Sequence, residues 1–153
     1  MTPPPRTPDR RKADTLARLE SDVDAWIATA DPEGGFPYLV PLSFLWDGAT
    51  LLLSTPAGSP TARNLRATGR VRAGIGPTRD VVLIEGTVET LGPGDLTEAL
   101  GDAFAAKTGF DPRTLTSPYA YFRVRPRLVQ AWREADELTG RDLMRDGRWT
   151  VGG

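Results

Sequence analysis

The chain has no cysteine and no histidine. Without cysteine there is no disulfide, no thiolate nucleophile and no Cys-type zinc site. Without histidine the commonest metal ligand and general base is gone. A Ser-His-Asp triad and a His-ligated haem or zinc centre are both excluded, and we expect no metal site. Any redox chemistry then falls to an organic cofactor.

An excess of charge of one sign is lacking too. Lys and Arg number 19 against 20 Asp and Glu, a net charge of −1. Nothing in that balance marks a nucleic-acid-binding surface. No apolar run approaches the roughly 18 residues of a membrane span. The start, MTPPPRTPDRRKAD, has no apolar h-region of a secretory signal. We therefore expect a cytoplasmic protein with neither nucleic acid nor membrane as partner.

What is present describes one soluble globular domain of 153 residues, with 39% of them apolar and 25% charged. A chain of that size buries roughly 68–70% of its extended surface. Residues 1–13 read as a disordered, solvated tail with little to bury. Residues 14–133 read as the folded domain. Residues 134–153 read as a polar tail that docks in part, because it carries Leu138, Leu143, Met144 and Trp149.

The order of elements follows from periodicity and turn residues. Ala13 to Ser21 is a short helix, with Asp14 or Thr15 as its cap. Trp26 to Thr29 is a strand, and Asp31-Pro32-Glu33-Gly34-Gly35 is a turn. Phe36 to Trp46 is a strand apolar on both faces, hence buried on both, by a barrel interior on one side and a subunit interface on the other. Pro37 and Pro41 cannot donate to a ladder and belong at an edge or bulge. That leaves backbone groups free around Pro41, where a planar ligand can dock. Asp47-Gly48 is a hairpin signal. Val71 to Ile75 and Val81 to Leu91 are strands, and Gly86 in the second marks a bulge or close backbone approach. Asp95 to Thr108 is a helix ended by Gly109. Tyr119 to Arg133 is a long strand interrupted at Arg125-Pro126. Hairpin-length turns between strands predict an antiparallel sheet, closed into a small barrel with helices packed on it.

The chemistry concentrates in Leu51 to Leu65, LLLSTPAGSPTARNL. Ser59 before Pro60 has the form of an N-cap with proline at the first helical position. The helix runs from Pro60 to Gly69, with Ala62 and Leu65 toward the core and Arg63, Arg66 and Arg70 on a shared face. A helix N-terminus presents free N–H groups and the positive end of a dipole, so it accepts an anion. Arg63 can add a bidentate grip on a phosphate.

These stretches together resemble the pyridoxamine 5′-phosphate oxidase-like flavin and deazaflavin reductases. The resemblance runs from about Asp24 to Arg133. It is carried by WIATADPEGGFPYLVPLSFLWDGATLLLST, GSPTARNLRATGRVRAGI, RDVVLIEGTVETL and YFRVRPRLVQAW. It implies a mainly β fold, a six-stranded antiparallel split β-barrel that forms a homodimer with cofactor sites between subunits. It also implies that the strand from Val40 to Phe44 lines the cofactor ring with backbone groups, through Pro41, Leu42 and Ser43. Ser54, Thr55 and the segment holding Ser59, Thr61, Arg63 and Asn64 are implied to hold the phosphate, and Trp132 to lie near the ring. Many relatives carry an Arg-Lys pair where this chain has Pro60 and Thr61. True pyridoxamine phosphate oxidases also grip their substrate with an Arg and a His, so that activity is not expected here. The implied function is an FMN-dependent oxidoreductase, with F420 as the alternative cofactor, passing hydride to or from a small conjugated substrate. The other reading is a flavin- or ligand-binding carrier or sensor without turnover. No catalytic side chain stands out.

Overall fold

The structure, a computed structural model, describes residues 3–152. The strands are β1 (Asp24–Ala30), β2 (Pro37–Trp46), β3 (Leu51–Pro56), β4 (Arg70–Ile75), β5 (Val81–Leu91) and β6 (Tyr119–Trp132). They close into a six-stranded antiparallel barrel in the order β3-β2-β1-β4-β5-β6, with β6 returning to β3. Alternation puts Ile27, Phe44, Leu51, Leu53, Ile75, Ile84, Phe122 and Val129 inside, where all are buried. Closure leaves the barrel no unpaired sheet edge except where two neighbours part.

Neighbours part in two places: β1 and β4 pair only from Trp26↔Gly74 to Ala28↔Arg72, and the longer free edge lies between β2 and β3. These last two pair at Phe44↔Leu53, Leu45↔Leu52 and Trp46↔Leu51 and no further. Beyond Phe44, residues 37–43 pair only with β1, and residues 54–56 pair only with β6. Phe44 N donates to Val23 O at 2.8 Å and Asp31 N to Phe36 O at 3.0 Å. Antiparallel alternation from these bonds aims the nitrogens of Pro37 and Pro41 away from β1, at the open edge where no hydrogen is needed. Both prolines thus stand at an edge. The strand was expected to be buried on both faces. Within one chain Phe44 and Trp46 are buried, whereas Phe36, Tyr38 and Leu39 are 76%, 38% and 60% exposed: residues 37–43 have no β3 neighbour, and a single chain has nothing to cover the face assigned to a subunit interface.

Gly86 lies at a β-bulge. The register with β6 shifts between Glu85 and Gly86, and a Cβ on Gly86 would come within 2.8 Å of Arg125 O and of Val124 Cγ1. The bulge lets Pro126 sit within β6, so that strand is continuous over 119–132 where an interruption was expected.

Three helices pack on the barrel: α1 (Pro8–Ser21), α2 (Pro60–Thr68) and α3 (Glu98–Thr108). Helix α1 begins at Pro8, well before the expected Ala13. Thr7 is its cap, accepting from Arg10 N, with Pro8 and Asp9 in the first turn. Residues 8–13 are therefore helix, with Arg11 buried, where a disordered tail was expected. Met1 and Thr2 of that expected tail, and Gly153 of the C-terminal one, lie outside the described residues. Helix α3 starts at Glu98 with Thr97 as cap, later than the expected Asp95, whose carboxylate instead accepts from Gly92 N in the preceding turn.

After β6 the chain forms a 3₁₀ turn (Ala135–Glu137) and a hairpin of β7 (Asp142–Arg145) and β8 (Arg148–Trp149). Strand β7 adds to β6, and Leu143 is fully buried. Arg11 Nη1 donates to the carbonyls of Ala131 (3.1 Å) and Glu137 (2.9 Å), and Lys12 Nζ to that of Val151 (2.9 Å). No helix among the described residues is long and apolar enough to cross a membrane.

Candidate functional site

The split between β2 and β3 collects most of the residues singled out from the sequence. On one side is the open edge of β2 at Pro41, Leu42 and Ser43. Leu42 turns inward against the core. Ser43 Oγ donates to Asp24 Oδ1 at 2.8 Å on the outer face. On the β1 side of β2, away from the split, Lys107 Nζ donates to Phe44 O at 3.1 Å and lies 4.3 Å from the Phe44 ring centroid. Burial pushes that amine below the usual lysine range.

On the other side are the end of β3 and the start of α2. Successive strand residues point to opposite faces, so Ser54 and Thr55 cannot both face the split. Ser54 Oγ donates to Ala120 O at 3.1 Å, across from Tyr121. The Tyr121 hydroxyl is buried without a partner among the described residues, and burial pushes its pKa up. Thr55 Oγ1 and Ser59 Oγ share a hydrogen bond of 3.3 Å. Ser59 Oγ also accepts from Ala62 N at 3.1 Å, the expected cap, and Pro60 is the first helical residue.

Helix α2 is sorted by face. Thr61, Ala62, Asn64 and Leu65 are buried. Asn64 Nδ2 donates to Thr29 Oγ1 at 3.1 Å, so its amide ties the helix to β1. Arg63 and Arg66 are exposed and reach back over the loop between β3 and α2. Arg63 Nη1 donates to Gly58 O at 2.6 Å, and Arg66 Nη2 donates to Ala57 O. Arg70 does not share their face, contrary to the expectation: Gly69 ends the helix in the left-handed region and Arg70 belongs to β4. Arg66, outside the implied phosphate-binding set, stands beside Arg63, as their i, i+3 spacing signals.

Trp132 is not brought to this site within one chain. It lies at the far end of β6 from Tyr121. The extended strand between them spans about 36 Å, at about 3.3 Å per residue. There Trp132 pairs with Val81, and the Arg141 guanidinium stands 5.9 Å from its ring.

The donor set around the loop after β3 has the chemistry of a phosphate acceptor. It offers the Ser59 hydroxyl, backed by the buried Thr55, a helix start without an acidic residue in its first turn, and two guanidinium groups. A phosphate-bearing cofactor fits these residues. The groups named here would hold its phosphate.

A closed six-stranded barrel, split between its second and third strands and bearing a helix start at the split, defines a split-barrel protein. The chain belongs to the pyridoxamine 5′-phosphate oxidase family, whose model matches residues 13–133. No curated protein sequence matches it. Among solved structures it is similar to a FAD-binding protein from Mesorhizobium loti, with 22% identity, 77% of this chain and 89% of that chain covered, and a TM-score of 0.62. It is also similar to an F420 reductase, with 24% identity, 74% and 93% covered, and a TM-score of 0.59. A third is a Clostridium acetobutylicum protein related to general stress protein 26, with 16% identity, 82% and 90% covered, and a TM-score of 0.64. At these identities the likeness is one of fold.

Proposed function

We propose that this chain is an oxidoreductase that holds FMN, or the deazaflavin F420, along the split between β2 and β3. The observation that carries the reading is the split itself. An open backbone edge at residues 37–43 faces a loop and helix start furnished with hydroxyls and arginines. The solved structures of a FAD-binding protein and an F420 reductase share the fold and support this choice of cofactor class. When bound, the flavin or deazaflavin supplies the hydride chemistry. The chain's residues orient it: the β2 edge by backbone groups, and the loop by hydrogen bonds to phosphate. The substrate is a small conjugated molecule that accepts or gives the hydride.

The proposal includes a homodimer with the cofactor sites between subunits. The outer face of β1, β2, β4, β5 and β6 carries an apolar groove of about 380 Å³, lined by Trp26, Leu39, Leu83 and Leu128. Trp26 is 55% exposed and Leu39 60% exposed. Large apolar side chains left bare around one groove are the mark of an interaction surface. In such a dimer Trp132 reaches a cofactor ring only across the subunit boundary, given its distance along β6.

The test is spectroscopic. Protein purified without added cofactor is expected to be yellow, or to quench the fluorescence of added FMN or F420 on titration. Failure to bind either removes the proposal. Reduction of the bound cofactor by NADPH, or reoxidation of its reduced form by a conjugated acceptor, establishes an enzyme. Binding without either would favour the carrier reading, which the same donor set also fits, since it holds a ligand without offering a distinct proton donor.

A further inference from the structure

We infer that Arg63 and Arg66 together form this chain's phosphate clamp, taking over from later turns of α2 the task of the cation pair absent at Pro60 and Thr61. The inference rests on the cofactor reading above and assigns the phosphate end of that site. Arg63 and Arg66 are the fourth and seventh residues of the helix. The Arg66 backbone therefore lies about 9 Å up the axis from Pro60, at about 1.5 Å per residue. Solvent surrounds both side chains, yet both turn back toward the helix start. They donate to the carbonyls of two consecutive loop residues, Gly58 and Ala57. The loop is held from its other side by Ala57 N donating to Pro118 O at 3.0 Å and Ser59 N to Pro56 O at 3.0 Å.

Two features make this pair more than a helix fastening. Neither arginine has a carboxylate partner among the described residues; the exposed Arg70, Arg127, Arg141, Arg145 and Arg148 have none either, but none of those donates to the loop before α2. Their charges are therefore uncompensated at the positive end of α2. Each guanidinium has five donors and gives one to the loop, which fixes its direction and leaves the rest for an incoming anion. The N–H groups of Gly58 and Thr61 make no hydrogen bond among the described residues and add to the donor set. Many donors around one small loop suit a tetrahedral phosphate ester, whose oxygens accept from several directions at once.

Fluorescence titration with FMN and with riboflavin, which lacks the phosphate, separates the clamp from the rest of the site. Arg66→Ala is expected to weaken FMN binding about tenfold and Arg63→Ala by a similar factor, from the loss of about one charge-assisted interaction each. Riboflavin affinity should change less than about twofold, and that binding also reports that the variant is folded. Arg66→Lys should recover only part of the loss, because an ammonium keeps the charge without the forked donors. If the wild type takes F420 instead, the same comparison is made with F420 and its phosphate-free deazaflavin core. Undiminished FMN binding by Arg66→Ala, or equal losses for FMN and riboflavin, would overturn the clamp and leave the cofactor reading standing. A wild type that binds none of these ligands would overturn both.

Discussion

Arg6 holds Glu137 by both carboxylate oxygens, although 131 positions separate them in the chain. Its Nη2 lies 2.8 Å from Oε1 and its Nε 3.0 Å from Oε2, and its backbone N donates to Oε2 at 2.8 Å. Arg133 N adds a fourth hydrogen bond at 2.9 Å. Glu137 is only 2% exposed. The pair fastens the segment before α1 to the turn after β6.

The Arg6 hydrogen bonds hold the Glu137 carboxyl at about 2, below its ordinary 4.5. A carboxylate with a lowered folded-state pKa stabilises the fold fully above its unfolded value and loses that contribution as pH falls through the folded one. Glu137→Gln should therefore destabilise the protein by about 3 kcal/mol at neutral pH, the usual scale for breaking a buried pair. The difference from wild type should shrink as the pH falls from 4.5 toward 2. Urea denaturation of both proteins at several pH values measures it, and a difference independent of pH would show that the ion pair is not its source.

Asn64 is tied to Thr29, and both are buried. Asn64→Ala leaves the Thr29 hydroxyl without its partner and should cost about 2 kcal/mol, since an unsatisfied buried polar group loses its desolvation compensation. For a chain of this size that corresponds to a fall in Tm of about 4–8 °C. Calorimetry of the cofactor-free protein checks it.

Gly86→Ala should destabilise by about 1–3 kcal/mol, the scale of overpacking. The added methyl would meet Arg125 O at 2.8 Å, a backbone atom that can move only by disturbing the bulge. A denaturation midpoint equal to wild type would mean that the β5–β6 ladder has more slack than its register implies.

Trp26→Glu places a charge in the apolar groove shared with Leu39, Leu83 and Leu128. We expect light scattering to report twice the chain mass for the wild type and the single mass for the variant at micromolar concentration. A wild type already monomeric there would remove the dimer from the proposal.

Much of the fold is legible in the sequence. Ser59-Pro60 and Gly69 bound α2 as read, because a cap, a proline at the first turn and a left-handed glycine are local effects. Gly86 marked its bulge by the same logic. Some misreadings were local and others long-range. Thr7-Pro8 has the same form as Ser59-Pro60, but its charged, proline-rich surroundings hid it. Arg6 and Arg11 look solvated in sequence, and only Glu137 and the carbonyls near Ala131, more than a hundred residues away, bury them. Arg70 was grouped with Arg63 and Arg66 by spacing alone, although Gly69 had already ended the helix between them.

The amino-acid sequence by itself determined what chemistry this protein can draw on. Without histidine or cysteine it offers hydroxyls, arginines and backbone, and its alternation and turn residues specify a small antiparallel barrel. Only the tertiary structure decided where those groups meet. The ladder between β2 and β3 stops at Phe44↔Leu53, which opens one edge of a closed barrel beside the start of α2. It also turns Arg63 and Arg66 back onto one loop, while Trp132 stays at the far end of β6. Such placements depend on pairing between distant strands. Side-chain period settles which face a residue takes, but it cannot say where two strands part.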